Sequence, residues 1–236
     1  MRKLNVAAFM PHPDDMEGII GGTLLKYVEQ GHQVNVVIAA DGRRGRGVLS
    51  ETLTWQEIVA LRKVEAIRGA EYLGVMPSFL EIEDHRLVDD RNCYDKVIAE
   101  MERLNPDVIF TCAPNDYHND HRAISRLVLN VAWAPVFFAE TKAGVDFIPD
   151  FYVDITQYFE TKLEMLGQHA SQLKPGWDEL IRTVNRFRGL QCKKDEILYA
   201  EGFKLHKRFN WVKAYDLLPI EMFELPVQIV PTTERN

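Results

Sequence analysis

Four short apolar runs, each followed by a stretch with helical spacing, constrain the fold of this chain more than any other feature. The runs cover residues 4–10, 33–40, 79–82 and 108–112, lengths that suit strands buried on both faces. After the first run, Ile19, Ile20, Leu24, Leu25 and Val28 recur at helical spacing up to Gly31, a residue suited to a helix C-cap. Trp55, Ile58, Leu61, Val64, Ile67 and Leu73 mark a second amphipathic helix over 54–73, ending near Gly74. Residues 92–104 make a third, stopped by Asn105-Pro106, and Ile124, Leu127, Val128 and Val131 mark a fourth. Strands alternating with helices in this way form βαβ units. Through residue 135 the chain is therefore expected to be α/β, with a doubly wound, mostly parallel sheet and helices on both faces. Farther on, 135–138 and 151–155 read as strands, and 162–168 and 177–188 as helices. No low-complexity linker or repeat interrupts the chain, so a single domain over 1–236 is expected.

Composition excludes several classes of function. A length of 236 residues can bury a sizeable core, and 46% hydrophobic with 27% charged residues is ordinary for a soluble globular protein. The net charge of −7 argues against a general nucleic-acid binder, which carries a basic face. No apolar stretch approaches the roughly 18–20 residues of a membrane span, so no stable membrane insertion is expected. Met1-Arg2-Lys3 leads straight into the first run, without the pattern of a secretory leader. Cys93, Cys112 and Cys192 make neither a disulfide framework nor a CxxC zinc site, which suits the reducing cytoplasm.

The chemistry-bearing residues gather at two of the strand-to-helix turns. The first is Pro11-His12-Pro13-Asp14-Asp15-Met16-Glu17, directly after the first run. His12 and Asp15 offer a nitrogen and an oxygen to a borderline metal, which leaves Asp14 as a general base. For one aspartate an ordinary helix N-cap, with Glu17 favoured by the helix dipole, is the better reading; for two adjacent aspartates after His-Pro it is weaker, because capping needs only one side chain. The second turn, Ala113-Pro114-Asn115-Asp116-Tyr117-His118-Asn119-Asp120-His121, follows the fourth run. In an open parallel sheet two such turns face each other across a crevice at the carboxyl ends of the strands. His121 would complete a His–Asp–His set with His12 and Asp15. His118 would be an acid or an oxyanion stabiliser, with Asp116 or Asp120 orienting it. For either histidine alone, a cap or a surface position is the better reading; the two turns together favour function.

Other candidates are weaker. Asp41-Gly42-Arg43-Arg44-Gly45-Arg46-Gly47 is a glycine-rich basic loop after the second run, equally a ligand-approaching loop or a solvated turn. It does not match a phosphate-binding loop, and no GxGxxG follows the first run. Arg62 and Glu65 read as a surface or half-buried ion pair worth little. His85 reads as a lone structural or exposed histidine. Trp177, Arg182, Arg186 and Arg188 either line a sugar pocket or merely pack and solvate a helix, and packing is the favoured reading.

The pair His-Pro-Asp-Asp-x-Glu and His-x-Asp-His resembles the LmbE-like (PIG-L) family of zinc-dependent N-acetylglucosaminyl deacetylases. Gly21-Gly22-Thr23, Asp41-Gly42, Arg62-x-x-Glu65, Leu73-Gly74-Val75 and Lys162 with His169-Ala170-Ser171-Gln172 add to it, so the resemblance spans roughly 4–172. Met16 departs from members that carry an acidic residue there. The resemblance implies a Rossmann-like fold closed near 198–203 and zinc on His12, Asp15 and His121, a donor set that also suits iron(II) or another divalent ion. It also implies Asp14 as general base and His118 as acid or oxyanion stabiliser. The residues themselves add Asp120 to the catalytic set and Arg43, Arg46 and Asp116 at the substrate; the resemblance further implies an N-acetylated amino sugar as substrate and a homo-oligomer, trimer or hexamer. Hydrolysis of another amide or ester bond, or a non-catalytic sugar-binding module, are the rival readings. A nucleotide-binding protein lacks its glycine fingerprint here.

Overall fold

The computed structural model describes residues 2–141 and 146–220. The chain runs β1 (Asn5–Met10), α1 (Asp15–Glu29), β2 (Gln33–Ala40), α2 (Trp55–Glu71), β3 (Ser78–Ile82), α3 (Arg91–Leu104), β4 (Val108–Cys112) and α4 (Asn119–Val131). It continues with β5 (Val136–Ala139), β6 (Phe151–Asp154), α5 (Phe159–Gly167), α6 (Trp177–Gln191) and β7 (Ala200–Leu205). One seven-stranded sheet has the order β3-β2-β1-β4-β5-β7-β6. The first five strands are parallel, and β7 runs antiparallel to both β5 and β6. The expected doubly wound α/β sheet is observed, with an antiparallel edge added by the C-terminal third. Residues 221–236 of the expected single domain lie outside the described residues.

Alternation along β1 builds the two layers. Val6, Ala8 and Met10 enter a core with residues of α1, α2 and α5, whereas Ala7 and Phe9 face the opposite core with α3 and α4. A strand apolar on both faces can lie only in the middle of a covered sheet. The chain therefore reverses its winding between β1 and β4, which are direct neighbours. The loops leaving their carboxyl ends are the two motif-bearing turns, set side by side at the switch point.

The helix behind the first motif is fixed from below. Glu201 of β7 accepts from the Gly22 and Thr23 amides of α1 at 3.1 and 2.8 Å, and Lys162 of α5 donates to the same carboxylate at 2.7 Å. Asn185 of α6 accepts from Lys162 at 2.9 Å and donates to Ala200 O at 3.0 Å. Both members of this ion pair are fully buried, so each needs every one of these bonds to offset its lost hydration.

Candidate active site

The turn between β1 and α1 places Asp14 at the N-cap position with φ 111° and ψ −21°, and its side chain makes no capping bond. A left-handed backbone at a non-glycine residue costs free energy and persists only where the surroundings impose it. The capping reading of Asp14 is therefore replaced: its carboxylate is turned to other partners. Arg62 is one. Buried on the inner face of α2, it donates to Asp14 Oδ1 at 3.1 Å, to Gly42 O at 2.9 Å and to Pro13 O. Arg62 thus has no ion pair with Glu65, correcting the sequence expectation. Glu65 instead accepts from the Ser171 amide at 2.8 Å and hydroxyl at 2.6 Å. Side chains three apart on a helix need not pair when each meets better donors or acceptors from a neighbouring loop. Burial raises the Asp14 pKa above the ordinary carboxylate value, with Arg62 opposing it.

Asp15 joins the two motifs. Its Oδ2 lies 3.1 Å from His12 Nδ1 and 3.2 Å from His121 Nε2, and accepts the His12 amide at 3.0 Å. Burial alone would raise its pKa, but His121 and His12 hold it well below the ordinary value. The far nitrogens of both imidazoles are also set against carboxylates. His12 Nε2 lies 3.1 Å from Asp120 Oδ2 and 3.4 Å from Asp84 Oδ1, and His121 Nδ1 lies 3.3 Å from Asp116 Oδ2. A ligating histidine characteristically gives its other N–H to a carboxylate, which fixes ring and tautomer. Two nitrogens and one carboxylate oxygen converging in this way fit a divalent cation of the zinc or iron type. Among the described residues, the groups whose ligand atoms, one per residue, all lie within 4.8 Å of one another are His12 with His118 and His121, and His12 with Asp84 and Asp120; neither includes Asp15.

His118 stands beside this set, its ring centroid 4.8 Å from that of His12 and 5.1 Å from that of His121. Its Nδ1 accepts the Asp120 amide at 3.2 Å and so caps α4. An acceptor Nδ1 leaves the proton of a neutral ring on Nε2. Burial, with His12 and His121 nearby, lowers its pKa below the ordinary histidine value. The ring is thus a preset neutral donor.

The remaining expected residues are distributed unevenly. Asp116 is drawn into the site, but Oδ1 accepts the His118 amide at 2.8 Å and Oδ2 faces His121, so the carboxylate props both rings. Asp120 holds His12 and accepts the His85 amide at 3.1 Å. Arg43 is paired with Asp41 and Glu83, and Arg46 bonds Ser50 O and Leu53 O. Neither arginine lines the cavity at the histidines. Glycines of this loop are instead explained by close packing: at Gly47 (φ 54°) a Cβ would stand 2.1 Å from Ser171 O. Arg182 and Arg188 pair with Glu160 and Glu140, and Arg186 bonds Leu198 O. Trp177 packs against the core, as the favoured reading had it, and also lines the cavity.

Asp84 was not singled out from the sequence at all. It sits just after β3, buried, with its amide on Asp41 Oδ1 at 3.1 Å and its Oδ2 accepting the Arg44 amide at 3.0 Å. His85 beside it is exposed but lies edge-on to His118 at 5.7 Å. The only sequence signal was position, a polar cluster at the carboxyl end of a parallel strand next but one to β1.

A cavity of about 410 Å³ opens on Asp14, Asp15 and His121, a volume typical of small-molecule sites. A second, of about 320 Å³, is lined by His85, Tyr117, His118, Asn119 and Asp120. Tyr117 borders both.

A doubly wound α/β domain that gathers histidines and carboxylates at its switch point is the class of protein the fold and the site define. A family model described as "PIG-L: GlcNAc-PI de-N-acetylase" matches residues 7–132. The chain belongs to this PIG-L (LmbE-like) family. It is 27% identical to a diacetylchitobiose deacetylase of Thermococcus kodakarensis, covering 84% of this chain and 82% of that one. To a probable N-acetyl-α-D-glucosaminyl L-malate deacetylase 2 of Bacillus cereus it is 30% identical, covering 71% and 83%. A 4-oxalmesaconate hydratase of Pseudomonas putida is 24% identical, covering 82% and 85%. Among solved structures, the N,N′-diacetylchitobiose deacetylase of Pyrococcus horikoshii superposes with a TM-score of 0.77 at 25% identity, covering 88% and 85%.

Proposed function

We propose that this protein is a divalent-metal-dependent N-deacetylase acting on an N-acetylglucosamine-type sugar or conjugate. The observation that carries the reading is the shared Asp15 oxygen between His12 and His121, with an uncapped Asp14 on one side and a preset Nε2 donor of His118 on the other. The deacetylase names of the relatives support the bond type.

His12, Asp15 and His121 would hold the cation, zinc or iron(II), which supplies a Lewis acid for the amide carbonyl and acidifies water. Asp14 takes a proton from the attacking water, and its depressed hydration suits a base of raised pKa. The water oxygen bonds to the acyl carbon while His118 Nε2–H donates to the carbonyl oxygen as charge develops there. When the C–N bond breaks, Asp14 returns its proton to the departing nitrogen, giving acetate and free amine. Asp120, Asp84 and Asp116 hold the imidazoles in place. Arg62 holds Asp14.

Metal content by elemental analysis, paired with amine release from N-acetylglucosamine and its conjugates, tests this. About one metal per chain with amine release is expected, and Asp14→Ala should keep the metal while losing turnover by a factor of about 10³ or more. Metal-loaded protein that releases no amine from any N-acetyl sugar would overturn the deacetylase. Water addition, the reaction in the name of the hydratase relative, would then become the reading to assay, because it needs the same base.

A further inference from the structure

His169-Ala170-Ser171-Gln172 makes a tight turn after α5, closed by the Gln172 amide on His169 O at 2.8 Å. Two elements that meet at Asp14 are fastened to this turn. From α2, Glu65 accepts both the Ser171 amide and the Ser171 hydroxyl. From the loop after β2, Gly45 O accepts from Gln172 Nε2 at 2.7 Å, and the Val48 amide donates to Ser171 O at 2.9 Å. Gln172 Nε2 donates also to Ser171 Oγ at 2.8 Å, so the serine hydroxyl links Glu65 to Gln172. Glu65 and Ser171 are buried, and Glu65 makes no ion pair among the described residues. A buried carboxylate held by neutral donors is a costly way to fill space that an apolar side chain would fill more cheaply.

The loop fastened in this way lies against Arg62. A Cβ on Gly45 would stand 2.1 Å from Arg62 Nη1, and one on Gly42 would stand 2.6 Å from it. Arg62 depends on that contact. Its Nε is buried with no hydrogen-bond partner among the described residues. The guanidinium is therefore oriented from its Nη ends alone, by Gly42 O, Pro13 O and Asp14.

We infer that Ser171 and Gln172 are positioning residues: gripped by Glu65, they hold the 42–48 loop against Arg62 and so keep Arg62 on Asp14. The inference rests on the deacetylase reading for what Asp14 does, but not for where Arg62 sits.

Ser171→Ala removes the hydroxyl that links Glu65 to Gln172. It should lower kcat on an N-acetyl sugar by about tenfold, the worth of one hydrogen bond, with KM and metal content unchanged. Glu65→Ala should do the same, whereas Glu65→Gln, which still accepts the Ser171 amide, should recover most of the rate. The double variant Arg62→Lys with Ser171→Ala separates positioning from mere packing. If Ser171 acts through Arg62, the double variant is no slower than Arg62→Lys alone. Losses that multiply, an unchanged kcat, or a change confined to KM would overturn the inference and leave the deacetylase standing. Should Ser171→Ala fail to fold, Gln172→Leu, at a half-buried position, replaces it, with kcat alone read in the same cycle. Should no substrate release amine, the crystal structure of the variant decides. An Arg62 guanidinium moved off Asp14 supports the inference, and one still seated on Asp14 and Gly42 O overturns it.

Discussion

At the scale of single residues, the site is two kinds of position. His12, Asp15 and His121 announce themselves in sequence because imidazole and carboxylate at turn positions after apolar runs have few structural uses. Arg62 and Asp84 do not, since an arginine on a helix and an aspartate after a strand are ordinary residues until long-range contacts show their aim. Arg62 reaches Asp14 across 48 positions, and Asp84 reaches His12 across a still longer gap. Arg62→Lys would lose the forked geometry that joins Asp14, Gly42 O and Pro13 O. It should lower kcat by about 10- to 100-fold, the worth of one charge-assisted bond, with metal content unchanged in elemental analysis. Asp84→Asn should weaken metal affinity by about tenfold or more, the usual cost of a lost outer partner of a ligand. Competition with a chelator reads this directly, and wild-type affinity in that variant would show that Asp120 holds His12 alone.

At the scale of elements, the first five strands and the first four helices could be read from periodicity because each buries a face set by its own sequence. Boundaries moved by one to three residues: the expected strand at 135–138 is Val136–Ala139, and the helix expected at 162–168 begins at Phe159. The antiparallel edge was not legible in direction, since strand pairing depends on partners far away in sequence. The loop after β2 shows the same limit. Its glycines read equally as a ligand-approaching loop or a solvated turn, and no local signal showed that Gly47 packs against the Ser171 carbonyl. Gly47→Ala combines a left-handed backbone with a contact that backbone atoms cannot relieve. It should cost about 1–3 kcal/mol in denaturant unfolding; a neutral result would mean the loop detaches freely.

At the scale of the whole molecule, helices from the C-terminal third brace the metal-side turn. His169, just after α5, is fully buried with Nε2 3.0 Å from Glu17 Oε1 in α1. Burial pulls the His169 pKa down, but Glu17 and Asp14 outweigh it, so it stands above the ordinary histidine value. A raised folded-state value means this pair stabilises fully below the unfolded pKa of about 6.5 and fades as pH rises through the folded value. The stability gap between wild type and Glu17→Gln should accordingly shrink as pH rises above the unfolded value of about 6.5 in urea titrations. A gap independent of pH would show that His169 stays neutral and acts by packing alone.

The left-handed turn at Asp14 has a further consequence for anyone who would engineer this protein. Glycine adopts that backbone freely, and Asp14→Gly would also remove a carboxylate whose burial opposes its charge. The chain has therefore settled on a residue that the fold itself disfavours. Heat resistance selected without regard to turnover would weigh that backbone relief against a buried Arg62 guanidinium left without its carboxylate, and on the proposed reading a glycine here would also remove the general base. Melting curves of Asp14→Gly beside its activity would measure that conflict in one experiment.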